Sequence, residues 1–167
     1  MTSYSPIIND TTKQTFFNYI DSLDIPQIDY FAIGVQNTVD RKSISLMSLP
    51  EWQQHFTANQ YADYDPIRRV TLCTNRNIIP FAEIDFIDNF GKEIMRQRTK
   101  MGVKDGVVLM QRFPKFNYMI TLGTGFSRFD AFDFIKRYHY GIRIIKSDLM
   151  QLIEREATCF LSKIVLK

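Results

Sequence analysis

At 167 residues, 45% apolar and 23% charged, the chain has the size and balance of one soluble globular domain, with room for a fragment of a second, and is long enough to bury a real core. Its net charge of +3 is spread along the sequence, and the densest basic stretch, "RRVTLCTNR", carries apolar residues at helical spacing, so it reads as a solvated helix face rather than a nucleic-acid surface. Cys73 and Cys159 are isolated and read as reduced, half-buried thiols; the N-terminus has no leader-like pattern and no apolar run approaches ~18 residues, so a cytoplasmic protein without a membrane span is expected.

In chain order, the first helix is expected from Thr11, where Thr11 and Gln14 form a capping-box pattern, with Phe16, Phe17, Ile20 and Leu23 on its apolar face and Pro26 beyond its end. "IDYFAIGVQN" and "SISLMSL" are strand-like and joined by "TVDRK", a hairpin. Ser48 and Glu51 then suggest a second capping box, opening a helix with Trp52 and Phe56 on one face. After "NQYADY", Asp65-Pro66 opens a helix with Ile67, Val70, Thr71 and Thr74 inward.

"NIIPF" is a short extended piece. A helix from Asp85 to about Met101 is expected to bury Phe86, Ile87, Phe90 and Ile94 and to be left at Gly102. "DGVVLMQRF" and "NYMITLGTG", around the turn "PKFN", are nearly continuous apolar runs and read as central strands covered on both faces. An amphipathic segment spans 128–145, and Ser147 is placed to cap a further helix, giving units 1–146 and 147–167. This order predicts an antiparallel sheet flanked by helices, an α+β fold.

Catalytic patterns are scarce. His55 and His139 sit in no metal-binding spacing, Gly102 and Gly106 are too sparse for a phosphate loop and read as turn glycines, and Asp85 and Asp88 read as helix-start charges. No enzyme, cofactor or metal site is expected. The stretch from Trp52 to Asp65 allows two readings. In one, Trp52 anchors the core, Asp65 caps a helix, and Tyr61 and Tyr64 pack. In the other, an indole N–H and a carboxylate meet a polar head group while apolar neighbours hold a tail.

The pattern Trp52, Tyr61, Asp65-Pro66, followed by "GVKDGVVLMQRFPKFNYMITL", resembles the autoinducer-binding domain of LuxR-type quorum-sensing transcription regulators over residues 10 to 125. The resemblance implies an α/β/α sandwich around an antiparallel sheet, with an N-acyl homoserine lactone between sheet and helices. Trp52 would then donate to the lactone carbonyl and Asp65 would accept the ligand amide N–H. Phe56 stands where a Tyr often closes over the acyl chain, and Thr121 near where a Ser or Thr meets the acyl or amide oxygen. The sequence departs from the family at Ser48, where a Tyr is common, and at Pro80 and Phe81, where a second Trp is common. These departures would loosen head-group discrimination.

Leu152, Arg155 and Glu156 resemble the Leu-x-x-Arg-Glu opening of that family's helix-turn-helix domain, with a plain amphipathic C-terminal helix as the alternative. On the first reading the chain stops before the recognition helix. DNA would then be met only through a complete helix-turn-helix domain. A homodimer responding to a small-molecule signal is the expected assembly; a signal-independent dimerisation module with an aromatic-filled core is the rival.

Overall fold

The computed structural model describes residues 8–85 and 88–165. In chain order its elements are α1 (Asp10–Asp21), β1 (Tyr30–Asn37), β2 (Ser43–Met47), α2 (Pro50–Ala58), α3 (Pro66–Cys73), β3 (Ile78–Pro80), α4 (Asn89–Lys100), β4 (Asp105–Arg112), β5 (Phe116–Thr124) and α5 (Ala131–Val165). Among the described residues five strands form one antiparallel sheet in the order β2-β1-β5-β4-β3. β1, β4 and β5 are the interior strands, the last two as their apolar runs predict. The proline-containing β3 lies at an edge, where a missing N–H costs no ladder bond.

Side chains on a strand alternate between faces, and here the alternation feeds two cores. Phe31, Ile33, Val35, Leu109, Ile120 and Leu122 pack with Phe16 of α1 and with Phe134, Ile142, Leu149 and Ile153 of α5. Tyr30, Ala32, Met47, Val108, Met110 and Met119 pack on the opposite face with Trp52 and Phe56 of α2, Ile67 of α3 and Ile94 of α4. The result is the expected α/β/α sandwich.

Local devices differ from the sequence reading in several places. Asn9 caps α1, its Oδ1 accepting from the Thr11 N–H at 2.7 Å, so Thr11 is inside the helix. Ser48 does not cap α2. Its Oγ accepts from the Phe31 N–H at 2.8 Å, while Leu49 is the cap and Pro50 opens the helix. α4 begins at Asn89 because Asp88 accepts from the Gly91 N–H at 2.6 Å and sets the first turn there. Phe90 is consequently exposed and Ile94 buried; Phe86 and Ile87 lie outside the described residues.

Gly102 turns the chain at φ +98, as expected. Gly106 is a strand residue instead: an added Cβ would lie 2.4 Å from the Leu122 carbonyl oxygen, so this glycine permits close strand approach. Ser147 lies inside α5, where Ile145, Leu149, Ile153 and Ala157 continue one buried stripe. The bend in this helix is at Tyr138. Both cysteines are exposed rather than half-buried.

Candidate ligand-binding site

Asp65 precedes Pro66, whose ring supplies a helical φ and lacks the N–H that a first turn leaves unused. The carboxylate caps α3, Oδ1 accepting from the Ile67 N–H at 3.2 Å. Capping turns it inward, where it is 3% exposed. There Arg98 of α4 donates Nη1 to Oδ1 at 3.1 Å and Nη2 to Oδ2 at 3.0 Å. The same guanidinium lies 5.2 Å from the Trp52 ring centroid, in cation–π contact.

Trp52 is fully buried. Its indole N–H lies beside the Tyr30 phenol without meeting an acceptor at hydrogen-bond geometry. Burial pushes the Tyr30 phenol well above its usual range, opposed by Arg98 and reinforced by Asp65.

Arg68, the next residue but two after Asp65, is also buried, against the expectation of a solvated basic face. Its Nη2 donates to the Arg41 carbonyl at 2.7 Å and its Nη1 to the Ala62 carbonyl. Arg41 has φ 62, so this contact pins the β1–β2 hairpin in a left-handed turn. Burial lowers the Arg68 pKa, with Asp65 and Asp63 opposing that shift.

Between this polar cluster and the sheet is a cavity of about 50 Å³. Its floor comes from register: Gly34 pairs with Ser45 on one side and Met119 on the other, and Ala32 pairs with Thr121. These small side chains leave space beneath Phe56 and Ile67, while Tyr30, Asp65, Arg68 and Arg98 form the polar end. A few water molecules would fit, not an acyl chain. Met47 and Met119 also line it, and their flexible thioethers are the parts best able to rearrange.

The sequence-predicted residues therefore divide. Asp65, Phe56 and Thr121 line the cavity. Trp52 lies behind Arg98. Tyr61 backs Phe56, edge-on at 6.0 Å, and also meets Phe90 edge-on at 5.9 Å. Ser48 is spent on the β1 backbone. Phe81 is buried near Gly106, away from the cavity lining.

Arg98 and Arg68 went unpredicted. Gly91, Ile94 and Arg98 fall on one helical stripe, so the position of an arginine on the inward face of α4 was the available signal. Pro80 borders a separate open groove of about 440 Å³ with Glu83, Asp105 and Arg128. Among the described residues no cluster of His, Cys, Asp or Glu could hold a metal, and no helix is long and apolar enough to cross a membrane.

A family model described as the autoinducer binding domain matches residues 10–143. No curated protein matches the sequence. Among solved structures, the N-acylhomoserine lactone dependent LuxR family transcription factor CepR2 from Burkholderia cenocepacia is similar at TM-score 0.58 and 15% identity, over 91% of this chain and 96% of that one. Escherichia coli SdiA is similar at TM-score 0.55 and 14% identity, over 92% and 67%. SdiA in complex with octanoyl-rac-glycerol gives TM-score 0.54 and 15% identity, over 95% and 68%.

Proposed function

Because this chain belongs to the autoinducer-binding-domain family, we propose that it is the ligand-sensing domain of a LuxR-type transcriptional regulator, taking an N-acyl homoserine lactone or a related small amphiphile between the sheet and α2–α4. One observation carries the reading: a floor of small residues, Ala32, Gly34 and Thr121, leads to a buried polar end at Asp65 within one cavity. The named ligands of the similar structures, an acylhomoserine lactone for CepR2 and octanoyl-rac-glycerol for SdiA, are likewise an acyl tail on a polar head. In this proposal the tail lies over Ala32, Gly34 and Thr121 beneath Phe56, and Met47 and Met119 move to admit it. Trp52 and Tyr61 act from behind, holding Arg98 and Phe56 in place.

The response follows from mass action. A ligand that binds only the folded domain stabilises it by RT ln(1 + [L]/Kd), about 2.7 kcal/mol at a hundred times Kd. Each buried methylene adds about 0.8 kcal/mol of transfer free energy, so tail length sets much of the affinity. Homodimerisation and promoter recognition through a helix-turn-helix domain are the output half of the proposal.

Thermal unfolding of the purified chain with acyl homoserine lactones of graded length and with octanoylglycerol tests it, with Gly34→Leu alongside. A Cβ at Gly34 meets Met119 Cε at 3.4 Å, so a leucine there would fill the floor. A length-dependent rise in Tm that Gly34→Leu loses is expected. A folded wild-type protein that no amphiphile stabilises would overturn the reading.

A further inference from the structure

The charges at the polar end of the cavity do not balance. Arg98 and Asp65 neutralise one another at 3.0 and 3.1 Å. Arg68 lines the same cavity and makes no ion pair among the described residues; its two terminal nitrogens donate to neutral carbonyls, those of Ala62 and Arg41. Asp63 lies near enough to act on Arg68 but is exposed, where solvent screens it. A guanidinium keeps its proton under burial of this kind, so the cavity holds an excess of one positive charge.

The hydrogen-bond inventory leans the same way. The Nε–H groups of Arg68 and of Arg98 are buried without acceptors, as is the Trp52 indole N–H behind them. Asp65 is already engaged, Oδ1 by the Ile67 N–H and Arg98 Nη1, and Oδ2 by Arg98 Nη2. An incoming amide N–H would have to compete with a bidentate guanidinium, the stronger donor. An incoming acceptor that reaches these donors would supply the partners they lack, and a charged acceptor would also offset the buried cation.

We infer that the cavity selects an anionic amphiphile, a carboxylate on an apolar tail, held at its head by Arg68 and Arg98, with Arg98 withholding Asp65 from ligands that present an amide N–H. The inference rests on the sensor reading above and names its ligand class. Arg98 is then a specificity-determining residue.

Titration of the full chain at pH 8, followed by thermal shift and Trp52 fluorescence, decides it. The probes are octanoate, decanoate and dodecanoate, their methyl esters, and acyl homoserine lactones of matching tails, all below their micelle concentrations. Carboxylates are expected to bind at least tenfold more tightly than the matching esters and lactones. Arg68→Gln should remove that preference, lowering carboxylate affinity toward that of the matching ester, and Arg68→Lys should keep it. Esters or lactones binding as tightly as carboxylates would overturn the inference and leave the sensor reading standing. No binding by any head group would instead overturn the sensor reading, and the inference with it. Should Arg68→Gln not fold, the wild-type ratio of carboxylate to ester affinity decides alone.

Discussion

Arg98 grips both oxygens of Asp65 while lying 5.2 Å over the ring of Trp52, so three elements, α2, α3 and α4, meet at one buried guanidinium. Both charged side chains are 4% exposed. A pair so buried gains strong attraction but sacrifices hydration, and its net contribution to stability can be small. In the proposed sensor its effect on specificity is larger. Asp65 is the group whose capping role and whose resemblance to a known sensor both make it conspicuous, and Arg98 determines what that carboxylate can still accept.

Breaking the pair from either side should be costly. Asp65→Asn keeps a good helix cap but leaves Arg98 buried without its counter-charge, and a loss of about 3–5 kcal/mol is expected in urea denaturation at pH 7. Arg98→Met should cost a comparable amount. The double variant should be more stable than the sum of the singles implies, since neither charge is then stranded. Additive losses would remove the coupling.

Trp52 is the single tryptophan, fully buried and in contact with Arg98, so its emission reports on the polar end of the cavity. The folded protein should emit at short wavelength and resist acrylamide quenching. Arg98→Met should change the intensity while leaving quenching slow. A wild-type spectrum already typical of solvated indole would contradict the packing.

Three glycines should respond differently to alanine. Gly106→Ala sets a Cβ against the Leu122 carbonyl and Gly123 Cα, at 2.4 and 3.1 Å, and should destabilise by about 1–3 kcal/mol through strand displacement. Gly102→Ala meets no atom within 4 Å but holds φ +98, so about 1–2 kcal/mol is expected from backbone strain alone. Gly141→Ala, with open space around it inside α5, should stabilise by about 0.5–1 kcal/mol. Chemical denaturation of the three variants reads all of these.

The acid limb of stability should carry a contribution from Asp88. The Gly91 N–H, then Arg69 at 2.6 Å, hold this carboxyl below its ordinary value of 3.8. A depressed carboxyl stabilises the fold at pH above its unfolded value, and that stabilisation is lost as pH falls through the folded value. Between pH 6 and pH 3 the wild type should therefore lose more Tm than Asp88→Asn does. Parallel acid limbs would show that the contacts do not persist in solution.

Pattern made the antiparallel sheet and its flanking helices legible. The apolar runs of β4 and β5 marked interior strands, and Trp52 with Phe56 marked the buried face of α2, because burial imposes a period of two or of about four wherever it occurs. Caps were less legible: Asn9 won over Thr11, and Ser48 went to a backbone N–H of a neighbouring strand, because a short hydroxyl side chain serves either purpose and tertiary proximity chooses. Asp65, conspicuous from its pattern, and Phe56 and Thr121, named through the family resemblance, all line the cavity, while Phe81 is set apart by the turn after β3. The two arginines were hidden by their type. A charged residue on a helix normally implies a solvated face, and only the three-dimensional meeting of α3 with α4 reveals Arg98 and Arg68 as interior groups.

In the proposed sensor, the space over Ala32, Gly34 and Thr121 is where this domain takes its ligand. Methyl NMR of the full chain, labelled at Met, Ala, Ile and Thr and titrated with decanoate and with decanoyl homoserine lactone, tests it most directly. With at least one of the two, the largest shifts are expected at Met47, Met119, Ala32, Ile67 and Thr121, with Ile142, Ile145 and Ile153 of the opposite core nearly still. Shifts confined to the opposite core or to the outer face of α5, with the cavity methyls unmoved, would contradict it.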